Sequence, residues 1–314
     1  MSISRKARRM VRIILRATGA LFVVAMISLG LLWWYFHPAI SETKRAVYGQ
    51  RRGVALSYQM VHPRQANGAA ILVMVSGSWK SGPDKFHPWM AASFLRHGFT
   101  VFAISHLSQP EATIGEITRD VGRAVRHIRL HAKEYGVDRN RFGVTGGSSG
   151  GHLSLMLATR GDAGNPLAED PVERQSSRVQ AAAVFFPVTD LLHLGASREN
   201  PGDGGPPIHY VKGFGPGATD MVKWKKIGRD LSPIYQITHE LPPVLIYHGD
   251  ADTLVPLDQS TRFRDQAASM GKKVEIVIRK GKNHGWPGMV LDIAQFAKWF
   301  EAHLSDGPSS MSST

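Results

Sequence analysis

The sequence of 314 residues contains no cysteine. This absence excludes disulfide bonds, zinc sites built from thiolates and a cysteine nucleophile. Charged residues make up only 20% of the chain and hydrophobic residues 43%, which excludes an intrinsically disordered protein. The 32 glycines and 18 prolines follow no collagen-like repeat. The length and the apolar content suffice for one large α/β domain, or two small ones, with a substantial core.

Acidic residues are absent from the first sixteen positions, which carry six of the 38 Lys and Arg residues. The rest of the formal net charge of +13 is spread along the chain. It forms no interleaved basic and aromatic block of the kind that single-stranded nucleic acid needs. The sequence therefore predicts no nucleic-acid partner, and the basic start is interpreted as a topology signal.

Charge is also absent from residues 17–36 (ATGALFVVAMISLGLLWWYF). As a helix, twenty such residues span about 30 Å, the thickness of the hydrocarbon core of a bilayer. Trp33, Trp34 and Tyr35 stand at the distal end, where an aromatic belt lies in the interface. The positive charges before the segment outnumber the four between positions 44 and 52. This bias predicts a single-pass anchor in the inner membrane, with the rest of the chain on the periplasmic or extracellular side.

Two alternatives to an anchor remain for this segment. A cleaved signal peptide has an apolar region of 7–15 residues, shorter than the one found here. Ala39-Ile40-Ser41 nevertheless has the small-x-small pattern of a cleavage site, and cleavage would give a secreted protein. A buried helix of a soluble fold is the third interpretation. We favour the uncleaved anchor.

Beyond residue 50, short apolar runs alternate with longer amphipathic ones. Such alternation predicts a mostly parallel sheet with helices on both faces. The predicted strands cover residues 54–61, 70–75, 99–105, 141–145, 179–186, 243–247 and 274–278, and the predicted helices cover 86–97, 117–132, 153–159, 258–270 and 291–304.

Residues 190–232 interrupt this alternation and are rich in Gly and Pro, so they are predicted to form an insertion over the active site. The predicted organisation is a basic cytoplasmic tail (1–16), a transmembrane signal-anchor (17–36), a linker (37–52), an α/β domain (53–304) and a loose tail (305–314).

The strongest local motif is GGSSGG at residues 146–151, between a predicted strand and a predicted helix. A nucleophile elbow needs this context, because a tight turn lifts its serine above the sheet edge and small neighbours avoid collisions. Ser148 and Ser149 both satisfy G-x-S-x-G, and we favour Ser148 because Ser149 would place His152 where the helix packs closely. A structural Gly/Ser loop and a phosphate-binding turn are the alternatives, and the P-loop pattern fails because no Lys follows.

An elbow serine needs a histidine base and an acid, which follow it in the order Ser, Asp or Glu, His. The strand at 243–247 leads into HGDADTLVP, where Asp252 is favoured over Asp250 as the acid. His284 is the first of the 14 histidines to follow the last strand and is predicted to be the base. The backbone N–H of Ser149 and those of Gly77 or Ser78 are the predicted oxyanion donors. We find no metal cluster, and this chemistry needs no cofactor.

Three stretches, residues 120–157, HGDADTLVP and KNHGW, together resemble the α/β-hydrolase superfamily. The resemblance covers residues 54–304 and is closest to bacterial esterases of the acetyl-xylan, feruloyl and hormone-sensitive-lipase-like groups, with prolyl-oligopeptidase-like hydrolases nearby. It implies the α/β-hydrolase fold and a Ser-Asp-His triad. Many of these esterases carry His-Gly-Gly-Gly-Trp at the oxyanion loop, where this chain has Ser76-Gly77-Ser78-Trp79.

The leading functional prediction is a serine hydrolase that cleaves a small-molecule carboxylic ester through an acyl-enzyme. A prolyl-oligopeptidase-like peptidase would use the same triad, but the sequence shows neither propeller repeats nor an acidic anchor for a peptide amino group. The third hypothesis is a catalytically inactive, membrane-tethered binding protein. In the insertion, His209 and Tyr210 could line the substrate pocket, although a surface position is favoured for both.

Overall fold

The computed structural model describes residues 5–305. These residues form one sheet of eight strands and seven α-helices. The strands are β1 (Ile40–Arg51), β2 (Val54–Pro63), β3 (Ala70–Met74), β4 (Thr100–Ile104), β5 (Phe142–Gly147), β6 (Ala181–Phe185), β7 (Val244–Gly249) and β8 (Val274–Arg279), and the helices are α1 (Arg5–Phe36), α2 (Ala92–Arg96), α3 (Ile114–Leu130), α4 (Ser149–Arg160), α5 (Met221–Asp230), α6 (Asp258–Ser269) and α7 (Met289–Leu304).

The strand order is β1-β2-β4-β3-β5-β6-β7-β8. The β1/β2 and β2/β4 pairs are antiparallel, and every other neighbouring pair is parallel. The central strands are buried on both faces, as parallel strands covered by helices must be. One apolar core includes side chains of α3, α4 and α6, and the other includes side chains of α2 and α7. The predicted mostly parallel sheet with helices on both faces is therefore confirmed.

Two local predictions were wrong. Most of the predicted linker forms β1, an edge strand whose side chains are largely exposed. Edge strands carry charged residues and lack the alternation of apolar residues that reveals a strand in a sequence. The helix predicted over residues 86–97 is divided into a 3-10 turn at Pro88–Ala91 and the short helix α2. Pro88 has no N–H and starts that turn.

Helix α1 contains an apolar stretch, Arg12–Phe36, that is long enough to cross a membrane and has no buried residues. Its distal end contacts the domain directly. The Tyr35 hydroxyl lies 2.6 Å from the Ser93 hydroxyl, and Nε of Arg96 donates to the Tyr35 carbonyl at 2.8 Å. The guanidinium of Arg96 also stacks on the Trp34 ring at 3.7 Å. The end of α1 is thus attached to the segment around α2 (residues 85–96).

The insertion at residues 190–232 contains α5 and is tied to the domain by buried groups. Asp190 is buried, and its carboxylate accepts hydrogen bonds from Arg262 and from the N–H of Leu192. Within the insertion itself, the fully buried Trp224 donates its indole N–H to the Gly204 carbonyl at 2.9 Å. The insertion is therefore packed onto the sheet domain. The predicted loose tail at 305–314 falls, beyond Ser305, outside the described residues.

Candidate active site

Ser148 occupies the turn between β5 and α4 with φ 55° and ψ −120°. A non-glycine residue at positive φ is strained, and such strain persists only where the surroundings hold it. A Cβ atom on Gly146 would lie 2.6 Å from the Gly150 backbone, and one on Gly150 would lie 2.7 Å from the Met74 carbonyl oxygen. The two glycines of the Ser148 register are therefore required by the close approach of α4 to the strands.

Ser149, the alternative in the second register, begins α4 and is almost completely buried. Its hydroxyl lies 3.2 Å from that of Ser76. The structure therefore gives the two serines different environments, with Ser148 on the strained turn and Ser149 in a buried hydrogen-bond network.

His284 and Asp252 are brought together as predicted. The Nδ1 atom of His284 lies 2.7 Å from Oδ2 of Asp252, and the ring is one-fifth exposed. The other carboxylate oxygen accepts the N–H groups of Leu254 and Val255, both at 2.9 Å. Asp250 instead accepts the Gly281 N–H at 2.5 Å and is exposed. Asp252 is thus the acid that contacts the predicted base, and Asp250 braces the neighbouring turn.

The charge of Asp252 is stabilised by its surroundings. Burial alone would raise the pKa of this carboxyl, but interactions with His248 and His284 and the Val255 N–H outweigh burial and hold the pKa below its usual value. The Nε2 atom of His248 lies 2.7 Å from the Val255 carbonyl and 3.6 Å from Asp252 Oδ2. An ionised Asp252 can only accept, so Nδ1 of His284 carries the proton and Nε2 is left as the basic nitrogen.

Phe186 connects the histidine to the serine turn. Its ring centroid lies 4.4 Å from that of His284, and a Cβ atom on Gly147, next to Ser148, would lie 3.4 Å from the Phe186 ring. Within residues 5–305, the Ser148 hydroxyl and the His284 ring share no direct hydrogen bond. Such contacts are often long in unliganded enzymes and shorten when substrate binds.

The loop at residues 76–79 supplies one oxyanion candidate rather than two. The Gly77 N–H donates to the Lys80 carbonyl at 3.0 Å, so this predicted donor is already occupied. Ser78 and Trp79 follow with φ values of 54° and 52°. Ser78 borders the cleft beside Ser148 and Ser149, and its hydroxyl lies 3.1 Å from that of Tyr210. The N–H of Ser78 is therefore the remaining candidate oxyanion donor of this loop. The other candidate donor is the N–H of Ser149, in the first turn of α4.

A buried histidine behind this loop takes part in bracing it. Nδ1 of His106 lies 2.9 Å from the Leu107 carbonyl and must donate to it, so Nε2 accepts the Ser76 hydroxyl at 3.0 Å. Burial lowers the pKa of His106 to about 4, which keeps it neutral. The sequence did not reveal this network, which connects Ser76 to His106 on one side and to Ser149 on the other.

His152 braces the other end of the loop. The Trp79 indole N–H donates to Nδ1 of His152 at 3.1 Å, and Nε2 donates to the Leu231 carbonyl at 2.7 Å. Burial lowers the pKa of this fully buried ring to about 4. Protonation would place a hydrogen on Nδ1 and break the bond to Trp79.

We expect His152 to make the protein sensitive to acid. Between pH 6.5 and 4 the unfolded chain binds a proton at this residue that the folded chain does not, so the free energy of unfolding falls as the pH is lowered. The fall attributable to His152 is about 3 kcal/mol over this window. Urea unfolding at a series of pH values measures it. The variant His152→Gln should show a slope smaller by about one proton, and an unchanged slope would contradict this role.

The cleft beside Ser148 is small and is partly formed by the insertion. Its volume is about 40 Å³, room for only a few water molecules. Tyr210 and Glu199 line it, whereas the His209 side chain is 74% exposed. The surface prediction is therefore correct for His209 and wrong for Tyr210. Glu199 was missed by the sequence analysis, and its carboxylate is already paired with Nδ1 of His209 at 3.0 Å. Within residues 5–305, no group of His, Asp and Glu side chains is arranged to hold a metal ion.

A mostly parallel sheet that carries a serine on a central strand-to-helix turn defines the α/β-hydrolase class. Within that class the chain belongs to the BD-FAE family, whose profile matches residues 59–267, more than half of the chain.

Two curated relatives from Mycobacterium tuberculosis are similar to this chain. The probable carboxylic ester hydrolase LipM is 31% identical over 199 residues, which cover 63% of this chain and 44% of LipM. Esterase LipQ is 28% identical over 216 residues, which cover 66% of this chain and 49% of LipQ. The chain thus spans about half the length of the curated relatives that it matches.

Solved structures share the fold. The acetyl ester-xyloside bifunctional hydrolase from Caldicellulosiruptor lactoaceticus superposes with a TM-score of 0.67 at 21% identity, covering 84% of this chain and 97% of that chain. At this identity, the likeness establishes the fold of the domain.

Proposed function

We propose that this protein is a serine hydrolase that cleaves carboxylic esters through an acyl-enzyme. The observation that carries the proposal is the bond between His284 Nδ1 and the buried Asp252 carboxylate, at the end of the sheet where Ser148 sits on its strained turn. The relatives named carboxylic ester hydrolase and esterase support the same chemistry.

The proposed reaction has two steps that share one base. Nε2 of His284 accepts the Ser148 proton as the serine oxygen attacks the ester carbonyl carbon. The N–H groups of Ser149 and Ser78 stabilise the oxyanion, and the positive end of α4 contributes. The protonated His284 then donates its proton to the departing alcohol. In the second step His284 accepts a proton from water as the water oxygen attacks the acyl-enzyme, and it returns that proton to the Ser148 oxygen as the carboxylic acid is released. Asp252 orients His284 and stabilises its positive charge.

Covalent labelling tests whether Ser148 is an activated nucleophile. A fluorophosphonate reacts with a serine hydroxyl only when a base activates it, so the full chain should bind one phosphonyl group, on the peptide that contains Ser148. Peptide mass spectrometry locates the label, and excess p-nitrophenyl acetate should slow its formation. An unlabelled protein, correctly folded by circular dichroism, would favour the inactive binding protein instead.

We further propose that α1 is a single-pass signal-anchor in the cell membrane, with the hydrolase domain on the periplasmic or extracellular side. The exposed apolar stretch Arg12–Phe36 and the positive charges before it support this topology. A cleaved leader, which would release a secreted enzyme, is the alternative. In that case the mature protein would begin after Ser41 and would lack α1.

A further inference from the structure

A second and larger cavity lies on the other side of the oxyanion loop from the cleft. Residues 78–79 of this loop border the cleft, whereas residues 76–77 border the cavity. The cavity volume is about 440 Å³, compared with about 40 Å³ for the cleft. The larger value is typical of pockets that enclose a whole small-molecule ligand. The cleft beside Ser148 is too small to hold a long substrate chain.

The wall of this cavity is apolar over most of its surface. Its charged residues are Lys80 and Lys85, and both are exposed. The apolar side chains come from β3, from the segment around α2, from the start of α7 and from the end of α1, and they include Val73, Phe86, Phe94, Met289, Val290 and Ile293. Such a wall favours a hydrocarbon chain over a polar ligand.

The inner end of the cavity reaches the nucleophile turn. Gly146 and Gly147, the two residues before Ser148, line it together with residues 76–77 of the oxyanion loop. A substrate whose ester group lies at Ser148 could therefore extend one chain into the cavity. Its other part would lie in the cleft, beside Tyr210.

The outer end of the cavity lies at the end of the anchor helix. Phe36, the last residue of α1, lines the cavity and packs edge-on against Trp89, with ring centroids 6.2 Å apart. Trp89 and its neighbour Met90 also line the cavity and are 49% and 42% exposed. A membrane-spanning α1 would place Phe36 and these two side chains at the bilayer interface, where aromatic residues are preferred.

We propose that this cavity receives the hydrocarbon chain of a long-chain ester that enters from the membrane, while the cleft holds the short part of the same molecule. The inference rests on the proposed ester hydrolysis at Ser148, and it adds the substrate class, a lipid ester. The anchor then has two roles, because it holds the domain at the membrane and supplies part of the wall of the substrate site.

Two adjacent residues of α7 allow a matched test. Val290 lines the cavity, whereas Leu291 is 71% exposed and does not. The full-length protein in phosphatidylcholine vesicles is assayed with p-nitrophenyl laurate and p-nitrophenyl acetate. Val290→Trp should lower the laurate-to-acetate ratio of kcat/KM at least tenfold, and Leu291→Trp should leave it within twofold of wild type. An unchanged ratio in Val290→Trp would overturn the proposal.

Met90→Arg provides a second variant at the mouth of the cavity, should Val290→Trp fail to fold. Because Met90 is already 42% exposed, the substitution spares the core, yet it places a charge where the chain would enter. The laurate-to-acetate ratio should again fall at least tenfold. A ratio within twofold of wild type would count against entry from the membrane side.

A binding measurement separates this inference from the proposed catalysis. Full-length Ser148→Ala in vesicles is titrated with a fluorescent dodecyl ether, which has no ester to cleave. The Ser148→Ala protein should bind the ether, and the double variant Ser148→Ala with Val290→Trp should bind the ether at least tenfold more weakly. Equal binding by both proteins would overturn the cavity assignment. If Ser148→Ala still hydrolysed esters while the probe bound as expected, the proposed function would fall and the cavity would stand.

Discussion

Replacing Ser148 with alanine should lower kcat for p-nitrophenyl acetate by at least about 10⁴-fold, because the variant has no nucleophile with which to form an acyl-enzyme. The rate that remains should come from binding and oxyanion stabilisation alone. The fold should be retained, because the substitution removes one hydroxyl group at a partly exposed position. Initial rates measure the loss, and circular dichroism checks the fold.

Ser149→Ala is the matched control for this prediction. It removes the hydroxyl that contacts Ser76 but keeps the backbone N–H proposed as an oxyanion donor. We therefore expect a loss of less than about tenfold in kcat. One neutral hydrogen bond stabilises a structure by only about 1 kcal/mol, and a tenfold change in rate needs about 1.4 kcal/mol. The opposite pattern, with Ser149→Ala inactive and Ser148→Ala active, would show that the second register of the motif is the functional one.

Asp252→Asn should cost about 10³- to 10⁴-fold in kcat with little change in KM. An asparagine has no charge to stabilise the protonated His284, and its amide can donate to Nδ1 and so reverse the tautomer of the ring. In the wild-type protein, hydrogen bonds to the Asp252 carboxylate keep it ionised and hold its pKa low. We therefore expect the acid limb of the pH–rate profile to report a group other than Asp252.

Asp250→Asn tests whether the correct acid has been assigned. Asp250 lies two positions away, is exposed, and bonds to the Gly281 N–H rather than to His284. An amide oxygen can still accept this bond, so kcat should stay within about threefold of wild type. A large loss in Asp250→Asn, together with a small one in Asp252→Asn, would exchange the roles of the two acids.

The parts of the fold that the sequence predicted are those with strong local signals. Buried parallel strands appear as continuous apolar runs, and Gly146 is dictated by its contact with the Gly150 backbone within one turn. Strand β1 was missed because an exposed edge strand has no such run. Ser148, Asp252 and His284 could be chosen as candidates because each follows a predicted strand and because they occur in the order Ser, Asp, His.

The bracing groups of the site could not be predicted, because they depend on long-range contacts between residues with no local motif. His152 is 73 positions from Trp79 and 79 from Leu231, and Tyr210 is 132 from Ser78. The occupied N–H of Gly77 depends on the path of a loop whose residues differ from the common glycine pattern. The large cavity is formed by several stretches that lie far apart in the sequence, including the end of α1.

Only residues 37–39 separate the end of α1 from the start of β1. The proposed anchor is therefore not a flexible tether on which the domain could search a large volume. Its last turn is bonded to the segment around α2, so the distance between the bilayer and Ser148 is set by the fold. The proposed lipid ester would therefore reach Ser148 by lateral diffusion in two dimensions. The rate of the proposed reaction would then depend on the mole fraction of ester in the surrounding lipid and not on its bulk concentration.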